Sequence, residues 1–239
     1  MLHWILLLIA ALLASTLAAV TGFGGAAVLL PVLVLAFGVR SAVPILTVAQ
    51  LIGNASRVWF NRREVSYRVV GWFALGGVPA ALVGGLLFAE VPGTLLTRLL
   101  GAFLLFVVGY RRWRKGNVHR IPLRAFAVLG AGSSFLSALM GSVGPLMAPF
   151  FLAYGLVKGA YIGTEALATV VMHVTKLLAY GTADILTLHA VLMGLLLGPM
   201  MILGSFVGKK IVDRVPERAF KLIIEATLVV AGLYFLIAG

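Results

Sequence analysis

The chain has 239 residues, of which 62% are apolar and only 11% charged, against about 25% charged in an ordinary soluble domain. So few polar side chains cannot cover a water-facing surface, and disorder needs the opposite composition. No cysteine is present, which excludes a disulfide scaffold, a zinc–thiolate site and a thiol nucleophile. What remains is an all-α, polytopic membrane protein. At about 20 apolar residues per crossing, its length allows roughly six to ten spans. The net charge of +12 does not indicate a nucleic-acid partner, because the basic residues cluster between apolar runs as in cytoplasmic loops.

The first apolar run extends from about Ile5 to Phe37 and is broken at Thr21-Gly22-Phe23-Gly24-Gly25. Runs over 42–60, 69–88 and 95–110 follow, then a basic connector at 111–124. A second long run, 125–156, is broken at Gly141-Ser142-Val143-Gly144-Pro145, and runs over 160–180, 189–207 and 219–238 complete the chain. The first stretch lacks the Lys or Arg flank of a signal peptide, and the apolar run resumes straight after the break, so cleavage is the weaker reading.

The pattern of a broken run and three spans occurs twice. Gly24, Phe37-Gly38 and Thr47 recur as Gly141, Tyr154-Gly155 and Thr164 at an offset of 117. Pro79 and Gly84 recur as Pro199 and Gly204 at 120, and Val91-Pro92 recurs as Val215-Pro216 at 124. The chain therefore reads as one membrane domain, with repeat one at about 1–110 and repeat two at about 125–239. Placing the basic loops at 57–68, 111–124 and 209–221 on the cytoplasmic side, with Lys158, leaves only Arg40, Arg98 and Lys176 of the 19 Lys and Arg outside. Equivalent loops then lie on opposite faces, which makes the repeats inverted, as in secondary transporters. Each broken run must begin and end on one side. Limbs of about 16 and 12 residues, then 16 and 11, suit a helical hairpin with a Gly-rich tip inside the bilayer. Two tilted helices joined by a tight turn remain the alternative.

Gly22, Gly24 and Gly25, with Gly141, Ser142 and Gly144, mark places where a new helix begins with unobstructed N–H groups. A helix N-terminus favours an anion, and two such ends would bind one without metal or cofactor; the alternative is helix packing. In the following helices, Gln50, Asn54 and Arg57 share one face at i, i+4 and i+7, and Thr169, His173 and Lys176 repeat the spacing at an offset of 119. Polar groups inside a bilayer mark a pathway by default, with interhelical hydrogen bonding as the bland reading. Inversion places Arg57 near the inner mouth and Lys176 near the outer, drawing in an anion or snorkelling to the headgroups. Glu165, on the same stripe, is a candidate for proton coupling, for a pair with Lys158, or for a solvated carboxylate. Trp4, Trp59, Trp72 and Trp113 read as interface anchors, and Gly194/Gly198 and Gly204/Gly208 as close-packing pairs.

The segment Gly22-Phe23-Gly24-Gly25 with Pro31 and Phe37-Gly38-Val39, its counterpart through Pro149 and Tyr154-Gly155, and Gly163-Thr164 opening the next helix resemble the TauE/SafE family of sulfite exporters. The resemblance covers nearly the whole chain, though Ser142-Val143 interrupt what is often a denser glycine cluster. It implies a multi-pass protein of the cytoplasmic membrane that moves sulfite, thiosulfate or an organosulfonate. The expected partners are that anion and the lipid bilayer, with no nucleic acid. A passive channel, a structural subunit or a transporter of another substrate class are the alternatives. A membrane-embedded enzyme is disfavoured, because no metal-ligand pair or Ser/Lys pair stands at catalytic spacing.

Overall fold

The computed structural model describes residues 2–22, 25–113, 121–141 and 143–211, with four single positions beyond at 229, 233, 236 and 237. The last expected span, 219–238, and most of the basic connector lie outside the described residues, as do Gly24 and Ser142. Among the described residues the protein is helical, without strands. The elements are α1 (Leu2–Thr21), α2 (Gly25–Asn61), α3 (Tyr67–Glu90), α4 (Gly93–Trp113), α5 (Ala125–Met140), α6 (Gly144–Ala153), α7 (Lys158–Thr182) and α8 (Leu188–Ile211).

Glycine sets the boundaries that the apolar runs alone leave vague. Gly38 interrupts α2 with non-helical backbone (φ 71°, ψ 160°), a conformation costly for any residue with a Cβ. It divides α2 into limbs 25–37 and 39–61, the second continuing at once rather than after the short gap read from sequence. Among the described residues, five helices are long and apolar enough to cross a membrane, those over Trp4–Thr21, Val28–Asn61, Tyr67–Glu90, Lys158–Thr182 and Leu188–Lys210. The first limb is longer than expected. α1 runs back through Trp4 to Leu2 and reaches 20 residues, about 30 Å. The limbs of the second break stay short, at 16 residues in α5 and 10 in α6.

The contacts fall in matched pairs across the two halves. α3 packs along α5, as α8 packs along α1; α7 lies against α3, as α2 lies against α8; α2 and α7 meet at the centre. Close approach at the first two crossings depends on glycine. A Cβ on Gly76 would lie 2.0 Å from the carbonyl oxygen of Ala127, and one on Gly130 would lie 2.1 Å from that of Phe73. On α8, Gly204 and Gly208 press on α1, at 2.6 Å from the carbonyl oxygen of Leu12 and 2.5 Å from that of Thr16. Gly194 and Gly198 press instead on Val48 and Ile52 of α2. Without a hydrophobic drive between helices in lipid, such backbone proximity is what holds spans together. Leu13, Leu35, Leu75, Leu178 and Leu192 face outward, as lipid-exposed side chains do. Trp59 is exposed, with the Arg62 guanidinium 4.5 Å from its ring, an arrangement suited to the interface.

Candidate functional site

Both breaks have the same local form. α1 ends as Gly22 turns to φ 76° and donates its N–H to the carbonyl of Ala18 at 2.8 Å. α5 ends as Gly141 turns to φ 79° and donates to the carbonyl of Ser137 at 2.9 Å. A left-handed glycine is the common way to stop a helix. The chain restarts at Gly25 and at Gly144, the latter with proline in the first turn, where its missing N–H costs nothing.

A helix C-terminus carries unpaired carbonyls and the negative end of the dipole. In each half, a basic side chain 35 residues beyond the glycine occupies that end. Arg57 donates through Nη1 to the carbonyls of Ala18 at 3.1 Å and Gly22 at 3.4 Å, and through Nη2 to Asn54 Oδ1. Lys176 Nζ donates to Ser137 Oγ at 3.3 Å and to the carbonyl of Gly141 at 3.5 Å. Neither residue snorkels: Arg57 is 5% exposed and Lys176 fully buried. The spacing found their shared face. Their burial follows from the helix ends packed over them, which no local pattern reveals.

Between the two breaks lies a cavity of about 30 Å³. One water needs roughly 10–15 Å³ on this measure, so the space suits a solute of a few heavy atoms. Gly22, Gly25, Gln50, Asn54, Arg57, Gly141, Gly144, Glu165, Thr169 and His173 all line it. Lys176 does not; it grips the second break from behind.

The wall is polar and incompletely paired. Asn54 Nδ2 donates to the carbonyl of Gln50 at 2.7 Å, and Thr169 Oγ1 donates to Glu165 Oε1 at 3.1 Å. Gln50 Nε2, Glu165 Oε2 and His173 Nδ1 have no hydrogen-bond partner among the described residues, although these residues are only 4%, 3% and 3% exposed. Buried polar atoms are nearly always paired, and leaving one unpaired costs about 1–3 kcal/mol. Three on one small cavity point to a polar occupant. Glu165 is buried rather than solvated, and Arg57, not Lys158, shares its cavity wall.

Sequence reading missed Ser137, Tyr161, Met147 and Met172. Ser137, Met147 and Met172 line the cavity, and the Tyr161 ring covers Gly22. Ser137 had a signal, since it precedes Gly141 by four residues as Ala18 precedes Gly22. The methionines and Tyr161 had none, because their roles arise from contacts distant in sequence.

Apolar spans enclosing a buried polar cavity between two helix breaks define a multi-pass membrane protein with a polar cavity in its core. The family model described as Sulfite exporter TauE/SafE matches residues 7–235, and the chain belongs to that family, whose members are membrane exporters of sulfite and related anions rather than enzymes. No curated protein and no solved structure matched it.

Proposed function

We propose that this chain is a secondary transporter that carries a small sulfur-containing anion (sulfite, thiosulfate or an organosulfonate) across the cytoplasmic membrane by alternating access. The observation that carries the reading is the central cavity. Its wall combines the starts of two helices at Gly25 and Gly144, the Arg57 guanidinium, and polar atoms without partners among the described residues.

In this reading the helix starts and Arg57 supply positive potential for the anion's charge. Gln50, Asn54, Thr169 and His173 supply hydrogen bonds, and Glu165 carries a coupling proton. Gly24 and Ser142 belong to the same two tips by sequence. Lys176, proposed from sequence as a contact, takes a positioning role by holding the second tip. The matched contacts of α1, α2 and α3 with α8, α7 and α5 support two repeats that rock against each other, and the basic loops support their inverted insertion.

The test is sulfite flux in proteoliposomes, with and without a pH gradient, using chloride and sulfate as controls. Saturable flux with trans-stimulation is expected, and Asn54→Leu and His173→Leu should each abolish it at normal folded yield. Flux unchanged in both variants would sink the site assignment, and flux without saturation would make the protein a channel.

A further inference from the structure

Arg57 lines a second chamber as well as the first. This chamber has a volume of about 190 Å³ and is bounded by Asn61, Glu64, Lys158, Ile162, Ser205 and Lys209 among others. It is a funnel in burial. Glu64, Lys158 and Lys209 at one end are exposed, whereas Asn61, Ile162 and Ser205 are 9%, 7% and 1% exposed. The Arg57 side chain is thus the wall shared by a funnel with exposed charged residues and a central cavity whose polar residues are buried.

The funnel's charged groups are three cations, Arg57, Lys158 and Lys209, and one carboxylate, Glu64. Glu64 is already engaged. Its carboxylate lies over the first turn of α7, so close that a Cβ on Gly159 would fall 2.3 Å from Oε1, where the helix start favours negative charge. Lys209 Nζ gives one N–H to the carbonyl of Phe60, which leaves an ammonium its other two donors. The lysines therefore leave the funnel with net positive potential and donors free to turn inward.

The opposite side of the cavity is built differently. At the offset of 119 that relates Arg57 to Lys176, Asn61 corresponds to Tyr180. Tyr180 is fully buried, packs its ring 5.4 Å from that of Phe88, and donates Oη to the carbonyl of Ala138 at 2.6 Å. Ser205 corresponds, at 120, to Gly85, and a Cβ on Gly85 would meet Ala179 at 2.5 Å. Where one side has a funnel, the other has a packed aromatic plug.

We infer that the Lys158–Lys209 funnel is a recruiting site for small oxyanions, which wait there on the cytoplasmic side before passing the Arg57 wall into the central cavity. This deepens the proposed function and rests on it for the identity of the anion. The natural absence of cysteine makes the site directly testable, since Asn61→Cys and Ile162→Cys each introduce a single thiol into the funnel. The probes are methanethiosulfonates bearing a sulfonate or a trimethylammonium group, applied at low salt to inside-out vesicles, with rates normalised to a small free thiol. A positive funnel should favour the sulfonate reagent by about fivefold or more. Lys158→Gln with Lys209→Gln should abolish the preference, as should high salt. Ala179→Cys, on the plugged side, should react with neither reagent. Failure to label both funnel thiols, or a preference that survives loss of both lysines, would overturn the inference. A charge preference in protein that moves no sulfite would leave the funnel standing and remove the proposed function instead.

Discussion

Gly22 and Gly141 both have positive φ, 76° and 79°, but have different neighbours. Alanine at either position must adopt a left-handed conformation, at a cost of about 1–2 kcal/mol. At Gly141 the added Cβ would lie 3.1 Å from the end of the Leu30 side chain, which can give way by a few tenths of an ångström. At Gly22 it would lie 2.3 Å from the Tyr161 ring. A flat ring buried at 5% exposure must shift by more than 1 Å to restore ordinary contact, and overpacking of this kind costs about 1–3 kcal/mol more. Gly22→Ala should therefore lose about 2–5 kcal/mol, and Gly141→Ala about 1–2 kcal/mol.

The assay is unfolding of the purified variants by SDS titration in mixed micelles. Tyr161→Leu provides the internal check. Combined with Gly22→Ala, it should recover most of the overlap penalty and leave the backbone strain, so the two changes are non-additive as contacting residues are. Equal losses for the two alanines, or no recovery on removing the ring, would refute the account of the first tip.

Other expectations concern packing and charge. Gly76→Ala places a Cβ 2.0 Å from a backbone oxygen of α5 and should cost about 1–3 kcal/mol or more. Gly71→Ala, in the same helix with nothing within 4 Å, should be neutral or stabilising by up to about 1 kcal/mol in the same titration. Lys176→Met removes a buried ammonium for a similar volume, a change often neutral or stabilising. Folded yield should hold while flux falls about tenfold to a hundredfold as the second tip loses its grip. Glu165→Gln preserves an acceptor for Thr169 and removes the charge; flux should persist but cease to respond to a pH gradient, and an unchanged response would remove Glu165 from coupling.

The spans over 42–60, 69–88, 160–180 and 189–207 and the two breaks were legible because a bilayer leaves few choices: backbone must be helical where it meets lipid, and glycine clusters inside apolar runs are where a helix can stop. The polar stripe was legible for a related reason. Gln50, Asn54 and Arg57 stand out against an apolar helix, and their spacing alone assigns them one face. What sequence hid was depth. A cation near the end of a span looks alike whether it reaches for headgroups or caps a neighbouring helix, and only the hydrogen bonds of Arg57 to the end of α1 and of Lys176 to the end of α5 decide for the second. The same holds for Glu165, which the linear order places near a solvated end and the fold places on the cavity wall it shares with Arg57. Lys158, its nearer basic neighbour, turns to the funnel with Glu64 instead.

Arg57 and Lys176 perform one task at equivalent places, yet they differ in what lies beyond them. Arg57 faces the cavity on one side and the funnel on the other, whereas Lys176 is sealed under Tyr180, whose ring centroid is 6.0 Å from Nζ. On the proposed rocking mechanism these are two stages of one cycle, seen in two halves of one molecule. The first half shows its basic side chain beside a funnel, and the second shows its own beneath a packed ring. Reversal then requires Tyr180 to leave Phe88 and the Ala138 carbonyl, while α8 closes over Asn61 through Ser205 and Lys209. The protein side of that exchange is small. One hydrogen bond of 2.6 Å contributes about 1 kcal/mol net, and one aromatic pair contributes about 0.5–1.5 kcal/mol beyond its burial. A gate held by so little can be opened by the differential binding of a single anion. Tyr180→Phe, which keeps the plug and removes its bond, should therefore shift the resting distribution toward the opposite side, raising the labelling of Ala179→Cys and lowering that of Asn61→Cys. Unchanged labelling at both positions would show that the plug is held by packing elsewhere.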